Sequence, residues 1–194
     1  MNLLVNGDAE KGPGGTAEPV GRVDGWVVRQ GAPALVGYDV GGGYPTPGSP
    51  GPGEAGARFF SGGNSAVTTL VQEVPVPTTG PTGHGAVDAG RVRYVLSGWL
   101  GGYAAQEDGV RLSVEFRDRA GTPLALSVLG PVTAAERAHA TALLERSAEA
   151  AVPPGARSAR VQLSFTRTGT GGGTSNDGYA DAISLRLTTT GRRK

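Results

Sequence analysis

The chain has 194 residues, enough for one good core and short for two, and its 18 basic and 17 acidic residues leave a net charge of +1. That balance provides no field to gather nucleic acid or an anionic membrane surface, so neither is an expected partner. The lack of cysteine excludes disulfides, thiolate metal sites and cysteine nucleophiles. Glycine (34) and proline (14) would suggest disorder if they were not gathered between apolar strand patterns. Neither a basic nor an apolar leader follows Met1, and no run reaches the length of a membrane span. Two explanations stay open: a mature domain carrying an added start, or a protein that leaves its cell without a cleaved signal.

In chain order, residues 3–5 read as a short apolar strand that Gly12-Pro13-Gly14-Gly15 breaks, and strands over 26–28 and 34–38 follow. Residues 41–53 are a low-complexity run of glycine and proline, which cannot pair well in a ladder and must form a surface loop. Its one large side chain, Tyr44, is either a ligand platform or a lid folded back on the body. Residues 58–64 and 66–74 read as paired strands closed by Pro75 and Pro77, and residues 77–90 as another loop. That loop holds His84, and with His139 as the only other histidine it makes no metal or acid-base site.

The strongest patterns come next. Residues 91–100 place Val92, Tyr94 and Leu96 on an inner face and Arg93, Val95, Ser97 and Trp99 on an outer one. Residues 110–118, read as the partner of that strand, turn Val110, Leu112, Val114 and Phe116 inward and Arg111, Ser113, Glu115 and Arg117 outward. The intervening 101–108 is too long for a tight hairpin. A further strand covers 123–128. The capping box Thr133-Ala134-Ala135-Glu136 predicts a short helix from Ala134, and the alternation over 144–152 predicts a strand after it, against the rival reading of one continued helix. In residues 159–166, Ala159, Val161, Leu163 and Phe165 alternate with Arg160, Gln162, Ser164 and Thr166.

The closing strand, 176–187, alternates Tyr179, Asp181, Ile183, Leu185 and Leu187 with Ala180, Ala182, Ser184 and Arg186, so Asp181 is expected to point inward. A carboxylate there is costly without a cation or several donors, and no lysine or arginine lies near it on that face. The opening stretch brings two more carboxylates, Asp8 and Glu10. If the chain ends meet, three carboxylates without a basic partner suggest a hard cation.

The opening Asn-Leu-Leu-Val-Asn-Gly-Asp-Ala-Glu (2–10), the Asp24-Gly25-Trp26 and the closing Asp-Gly-Tyr-Ala-Asp-Ala-Ile-Ser-Leu (177–185) resemble the two ends of galactose-binding-like β-jelly-rolls, the fold of many carbohydrate-binding modules. The resemblance covers essentially the whole chain. It implies a single all-β domain over 1–194, an antiparallel β-sandwich with one short helix, whose first and last strands are neighbours. It also implies a structural calcium ion held by Asp8, Glu10 and Asp181, with carbonyls of the Asn6-Gly7 turn completing the shell; the other reading makes Asp8 and Glu10 loop carboxylates and has Asp181 accept backbone N–H bonds.

Catalytic signatures are missing. No lysine follows the glycines of 169–173, no Gly-x-Ser-x-Gly elbow occurs, and Glu107 and Asp108 sit side by side rather than across a cleft. The expected activity is therefore non-catalytic recognition of a glycan. An outward polar row of Arg93, Ser97, Arg111, Ser113, Glu115, Gln162, Ser164 and Thr166 would meet sugar hydroxyls, with Trp99 as a stacking surface and Tyr44 as a second aromatic. The same residues also read as a solvated sheet face with Trp99 packed beneath a loop. Two other roles stay open: a structural or adhesive part of a phage tail or secreted particle, with protein partners, and an accessory domain of a larger enzyme. Each places the chain outside the cell or on a particle surface.

Overall fold

The computed structural model describes residues 2–169 and 174–190. Its strands are β1 (Val27–Gln30), β2 (Ala34–Gly37), β3 (Arg58–Ser61), β4 (Val67–Pro75), β5 (Val92–Gly102), β6 (Gly109–Arg117), β7 (Pro123–Leu129), β8 (Ala142–Ala151), β9 (Ser158–Thr166) and β10 (Gly178–Thr189). They form two five-stranded antiparallel sheets, in the orders β1-β4-β9-β6-β7 and β2-β3-β10-β5-β8. This is the all-β sandwich expected from the alternating patterns. The predicted strand over the second half of 134–152 is β8, and the β5, β6 and β9 alternations hold residue by residue.

The main core lies between the sheets. Leu70, Val110, Leu112, Val114, Phe116, Val161, Leu163 and Phe165 of one sheet meet Leu35, Phe60, Tyr94, Leu96, Leu100, Ile183 and Leu185 of the other, all of them buried. Burying a side chain of this size contributes about 1.5–3 kcal/mol, which identifies the two inner faces as the main source of stability. Space between the sheets is tight at Gly98 of β5. A Cβ there would stand 2.7 Å from Ile183 Cδ1 and 3.0 Å from Leu112 Cδ2. Gly98→Val should therefore force these side chains off their rotamers and cost about 1–3 kcal/mol, measurable as a lower denaturation midpoint.

Four expectations change. First, residues 3–5 form no regular strand. They run beside β10 through Leu3 N–H to Leu185 O (2.8 Å) and Ile183 N–H to Gly7 O (2.7 Å), with the Asn2 side chain joining Leu185 N and Ile183 O. The chain ends are neighbours as expected, but Asn6 in a left-handed conformation (φ 54°) bends the segment away from a ladder. Second, β6 is not the partner of β5. The long connection after β5 crosses to the other sheet, where β6 pairs with β9 and β7, while β5 pairs with β10 and β8.

Third, the capping box closes, with Glu136 N–H donating to Thr133 Oγ1 and Thr133 N–H to Glu136 Oε2, yet only a turn follows. Ala138 and His139 adopt positive φ (51° and 58°), which an α-helix cannot continue through. The short helix is α1 (His84–Asp88), inside the segment read as a loop. Fourth, β10 carries a bulge between Asp181 and Ser184, with Ala182 at φ 50°, and a bulge shifts the face of everything beyond it. Ala180, Ile183 and Leu185 therefore face the core, while Tyr179 and Asp181 face the outside of their sheet.

That outer face is covered. Ala34, Val36, Tyr38, Phe59, Leu143 and Tyr179 form a second buried cluster, with Tyr44, Ala55, Trp99 and Tyr103 packed around it. The glycine- and proline-rich segment 41–53 reaches across it, where Leu143 N–H donates to Pro50 O (2.8 Å) and Thr141 Oγ1 to Gly43 O (3.3 Å). The cover is partial: the outward residues Glu145, Ser147 and Glu149 of β8 stay exposed beyond it.

Candidate functional site

The uncovered outer face of β1-β4-β9-β6-β7 is where cross-strand register converts alternation into a site. Residues directly opposite in a ladder share a face, so the outward side chains of β4, β9, β6 and β7 line up in rows. One row is Thr69, Ser164 and Arg111; the next is Val71, Gln162, Ser113 and Val128; the third is Glu73, Arg160, Glu115 and Leu126. Arg117 stands below them, opposite Ser158.

Together these rows line a groove of about 490 Å3, with Arg111, Ser113, Glu115 and Arg117 from β6, Arg160, Gln162 and Ser164 from β9, and Leu126 and Val128 from β7. The polar groups form its floor, and Leu126 (62 % exposed) and Val128 (50 % exposed) make an apolar wall. Such a surface suits a ligand with hydroxyls on its edges and C–H groups on its faces.

Hydrogen bonding tunes the floor. The Gln162 amide donates to Ser164 Oγ at 2.9 Å, which fixes its orientation and leaves its carbonyl oxygen without a partner among the described residues. Glu115 is held by Arg117, both the Nε and Nη2 contacts being 2.5 Å, and Glu73 lies 3.7 Å from Arg160 Nε. Arg160 Nε is nevertheless buried without a hydrogen-bond acceptor. Arg111 has neither an ion pair nor a hydrogen bond among the described residues.

The structure brings together Arg111, Glu115 and Gln162 of the expected ligand set, and Ser113 and Ser164 with them. Arg93 and Trp99 belong to β5, in the other sheet, so the single row of polar groups with an aromatic platform does not form. Arg93 pairs with Glu149 of β8 (2.7 Å), and Trp99, half-buried, stands between Asp181 and Glu145 at the rim of the second cluster. Tyr44 folds back on the body, its ring 5.7 Å from Tyr179 and 6.4 Å from Phe59. There it borders a smaller cavity of about 270 Å3 with Tyr103, Asp177 and Ser175.

Sequence reasoning missed Arg160 and the β7 wall. Arg160 lies in the outward register of β9, a legible signal. Leu126 and Val128 gave none, because an apolar residue on an exposed edge strand reads the same as one in the core.

The acidic residues expected to hold calcium gather at the junction of the N-terminal stretch and β10, where their oxygens meet protein donors. Glu10 Oε1 accepts both Ala57 N–H and Arg58 N–H (2.8 Å each), and its Oε2 lies 3.9 Å from Arg58 Nε. The Arg58 guanidinium also donates to the carbonyls of Gly12 and Glu10, so a fixed cation stands among these oxygens. Asp181, 1 % exposed, accepts Tyr38 O–H on Oδ2 (2.7 Å) and Ala182 N–H on Oδ1 (2.6 Å). Asp8 is exposed. Among the described residues no three acidic or histidine side chains converge as a metal-binding group. In this arrangement the donor set does not fit a calcium ion.

Burial pushes the Asp181 carboxyl up to about 7; the Tyr38 and Ala182 hydrogen bonds oppose that rise, and the charges of Glu10 and Asp8 add to it. Burial, then the charge of Asp181, likewise drives the Tyr38 phenol well above its ordinary range.

No protein-family profile matches the chain, and no curated protein sequence does. Solved structures do. A module described as "Family 16 Carbohydrate Binding Module-2" is similar over 95 % of this chain and 99 % of its own, with a TM-score of 0.57 and 19 % identity. The enzymatically active domain of tailspike protein 4 from bacteriophage CBA120 is similar over 96 % of this chain, with a TM-score of 0.53 and 16 % identity. This chain spans 21 % of that tailspike structure's length. The fold is therefore an antiparallel β-sandwich of the kind seen in that carbohydrate-binding module. At this level of identity the likeness defines the fold alone.

Proposed function

We propose that the protein is a non-catalytic glycan-binding module that takes a saccharide chain in the groove on the β1-β4-β9-β6-β7 face. The observation that carries this reading is the set of aligned rows, which puts Gln162, Ser113, Ser164 and Arg111 on one open floor beside the Leu126 and Val128 wall. The fold shared with a carbohydrate-binding module supports it. A bound chain would place its hydroxyl edges on the floor, where amide, hydroxyl and guanidinium groups offer paired donors and acceptors, and pack its C–H groups against the wall. Recognition rather than hydrolysis follows from the carboxylates at the groove. Glu115 is bound by Arg117 and Glu73 lies 3.7 Å from Arg160, so both carboxylates are engaged in ion pairs rather than presented as a free pair to a glycosidic bond.

A glycan array, followed by titration of the best ligand, tests the reading. Gln162→Ala should weaken binding by about 1–2 kcal/mol with an unchanged melting temperature, since it removes one hydrogen-bonding group from a half-exposed position. An array without a binder would remove the proposal.

The tailspike likeness supports a second reading, in which the domain is a structural or adhesive part of a phage or secreted particle. Co-purification with particle proteins, together with a silent glycan array, would favour it. Both readings place the chain outside the cell or on a particle surface. Among the described residues no helix is long and apolar enough to cross a membrane.

A further inference from the structure

The groove holds more positive charge than its own carboxylates balance. Three guanidinium groups, Arg111, Arg117 and Arg160, line it with one carboxylate, Glu115, and Glu73 stands beside Arg160 at the edge. Arg117 and Glu115 neutralise each other, and Glu73 offsets Arg160 only at 3.7 Å, leaving the Arg160 Nε–H buried without an acceptor. Arg111 is exposed and has no acidic partner among the described residues. A hydrated guanidinium on a groove floor with no protein partner can exchange its water for an anion from outside. The planar fork of arginine pairs best with a planar carboxylate through two parallel N–H bonds.

We infer that the ligand of this groove is an acidic polysaccharide whose sugars carry carboxylates, with Arg111 gripping a uronate carboxylate and the Arg160 guanidinium adding positive charge beside it in the same lining. The inference rests on the glycan-binding reading and specifies the class of sugar. Neutral neighbours of the uronate would lie against Gln162, Ser164 and the Leu126 and Val128 wall. Selectivity would then come from charge and hydrogen bonds rather than from stacking on an aromatic ring, since no aromatic side chain lines the groove.

Titration calorimetry on the full chain tests this with polygalacturonate and alginate, the same polymers after reduction of their carboxyl groups, neutral xylan and glucomannan, and a sulfated glycan. The expected result is binding of a polyuronate at least about tenfold tighter than its carboxyl-reduced form, weakening as salt rises. Arg111→Gln should lose about the same factor on the polyuronate, leave the reduced polymer unaffected and melt as the wild type does. Arg111→Lys should recover part of the affinity, since it keeps the charge and loses the fork.

Equal binding of the acidic and reduced polymers would overturn the charge assignment and leave the glycan module standing. Binding of the sulfated glycan alone would overturn the carboxylate. Undiminished polyuronate binding by Arg111→Gln would overturn the role of Arg111. No binding to any polymer would remove the module reading itself.

Discussion

Asp181→Asn should make the protein more stable above pH 7 and flatten its stability between about pH 4 and pH 7. The Asp181 carboxyl is raised to about 7, first by burial and then by the charges of Glu10 and Asp8, whereas in the unfolded chain it titrates near its ordinary value of 3.8. Between those values the folded state holds a proton that the unfolded state has released, so stability is highest at low pH and falls as pH rises through the folded value. A rise from 3.8 to about 7 corresponds to roughly 4 kcal/mol at most, and relaxation around a buried charge reduces that figure.

The amide keeps the packing. Its oxygen accepts Ala182 N–H where Oδ1 does now, and its NH2 group donates to the Tyr38 hydroxyl, which can rotate to accept. Thermal melts of both proteins from pH 4 to pH 9 measure the difference. A variant less stable than the wild type at pH 8 would show that the carboxylate is needed as an anion, as a bound cation would require.

The strands themselves were legible, because β6 and β9 alternate without a fault and each inward residue there is buried. Their partners were not, since alternation fixes the face of a strand and says nothing about its neighbour. Residues 91–100 and 110–118 are consecutive in the chain and belong to opposite sheets. The predicted ligand set is therefore divided in space: Arg111, Glu115 and Gln162 share a groove, while Arg93 and Trp99 lie on the other sheet.

Asp181 shows a different limit. Its residue type and burial were readable, and the cost of burying it stands, but the bulge at Ala182 turned it to the outer face. No local pattern marks a bulge at an alanine. On that face Asp181 meets the hydroxyl of Tyr38, far away in the chain, a contact that alternation cannot announce.

Glu10→Ala should destabilise the fold by about 2–3 kcal/mol, and calcium should not mimic or rescue the effect. The deletion leaves Ala57 N–H and Arg58 N–H without their acceptor and takes the nearest carboxylate from a guanidinium whose side chain is only 16 % exposed. The segment after Gly7 would then be tied to β3 only through the Arg58 bonds to the Gly12 and Glu10 carbonyls, while the backbone bonds of Leu3 and Gly7 to β10 would hold the rest of the N-terminal stretch in place. Arg58→Met tests the other half of the pair. It keeps most of the aliphatic packing and removes the bonds to the Gly12 and Glu10 carbonyls, so it should cost less than Glu10→Ala, whose loss strands both a cation and two amides. In the wild type, melts with calcium and with a chelator should coincide, because protein donors already meet the Glu10 and Asp181 oxygens that the ion would use. A calcium-dependent rise of several degrees, abolished by Glu10→Ala, would mean that the guanidinium yields its place to a metal and that the carboxylates of the first and last segments are ligands after all.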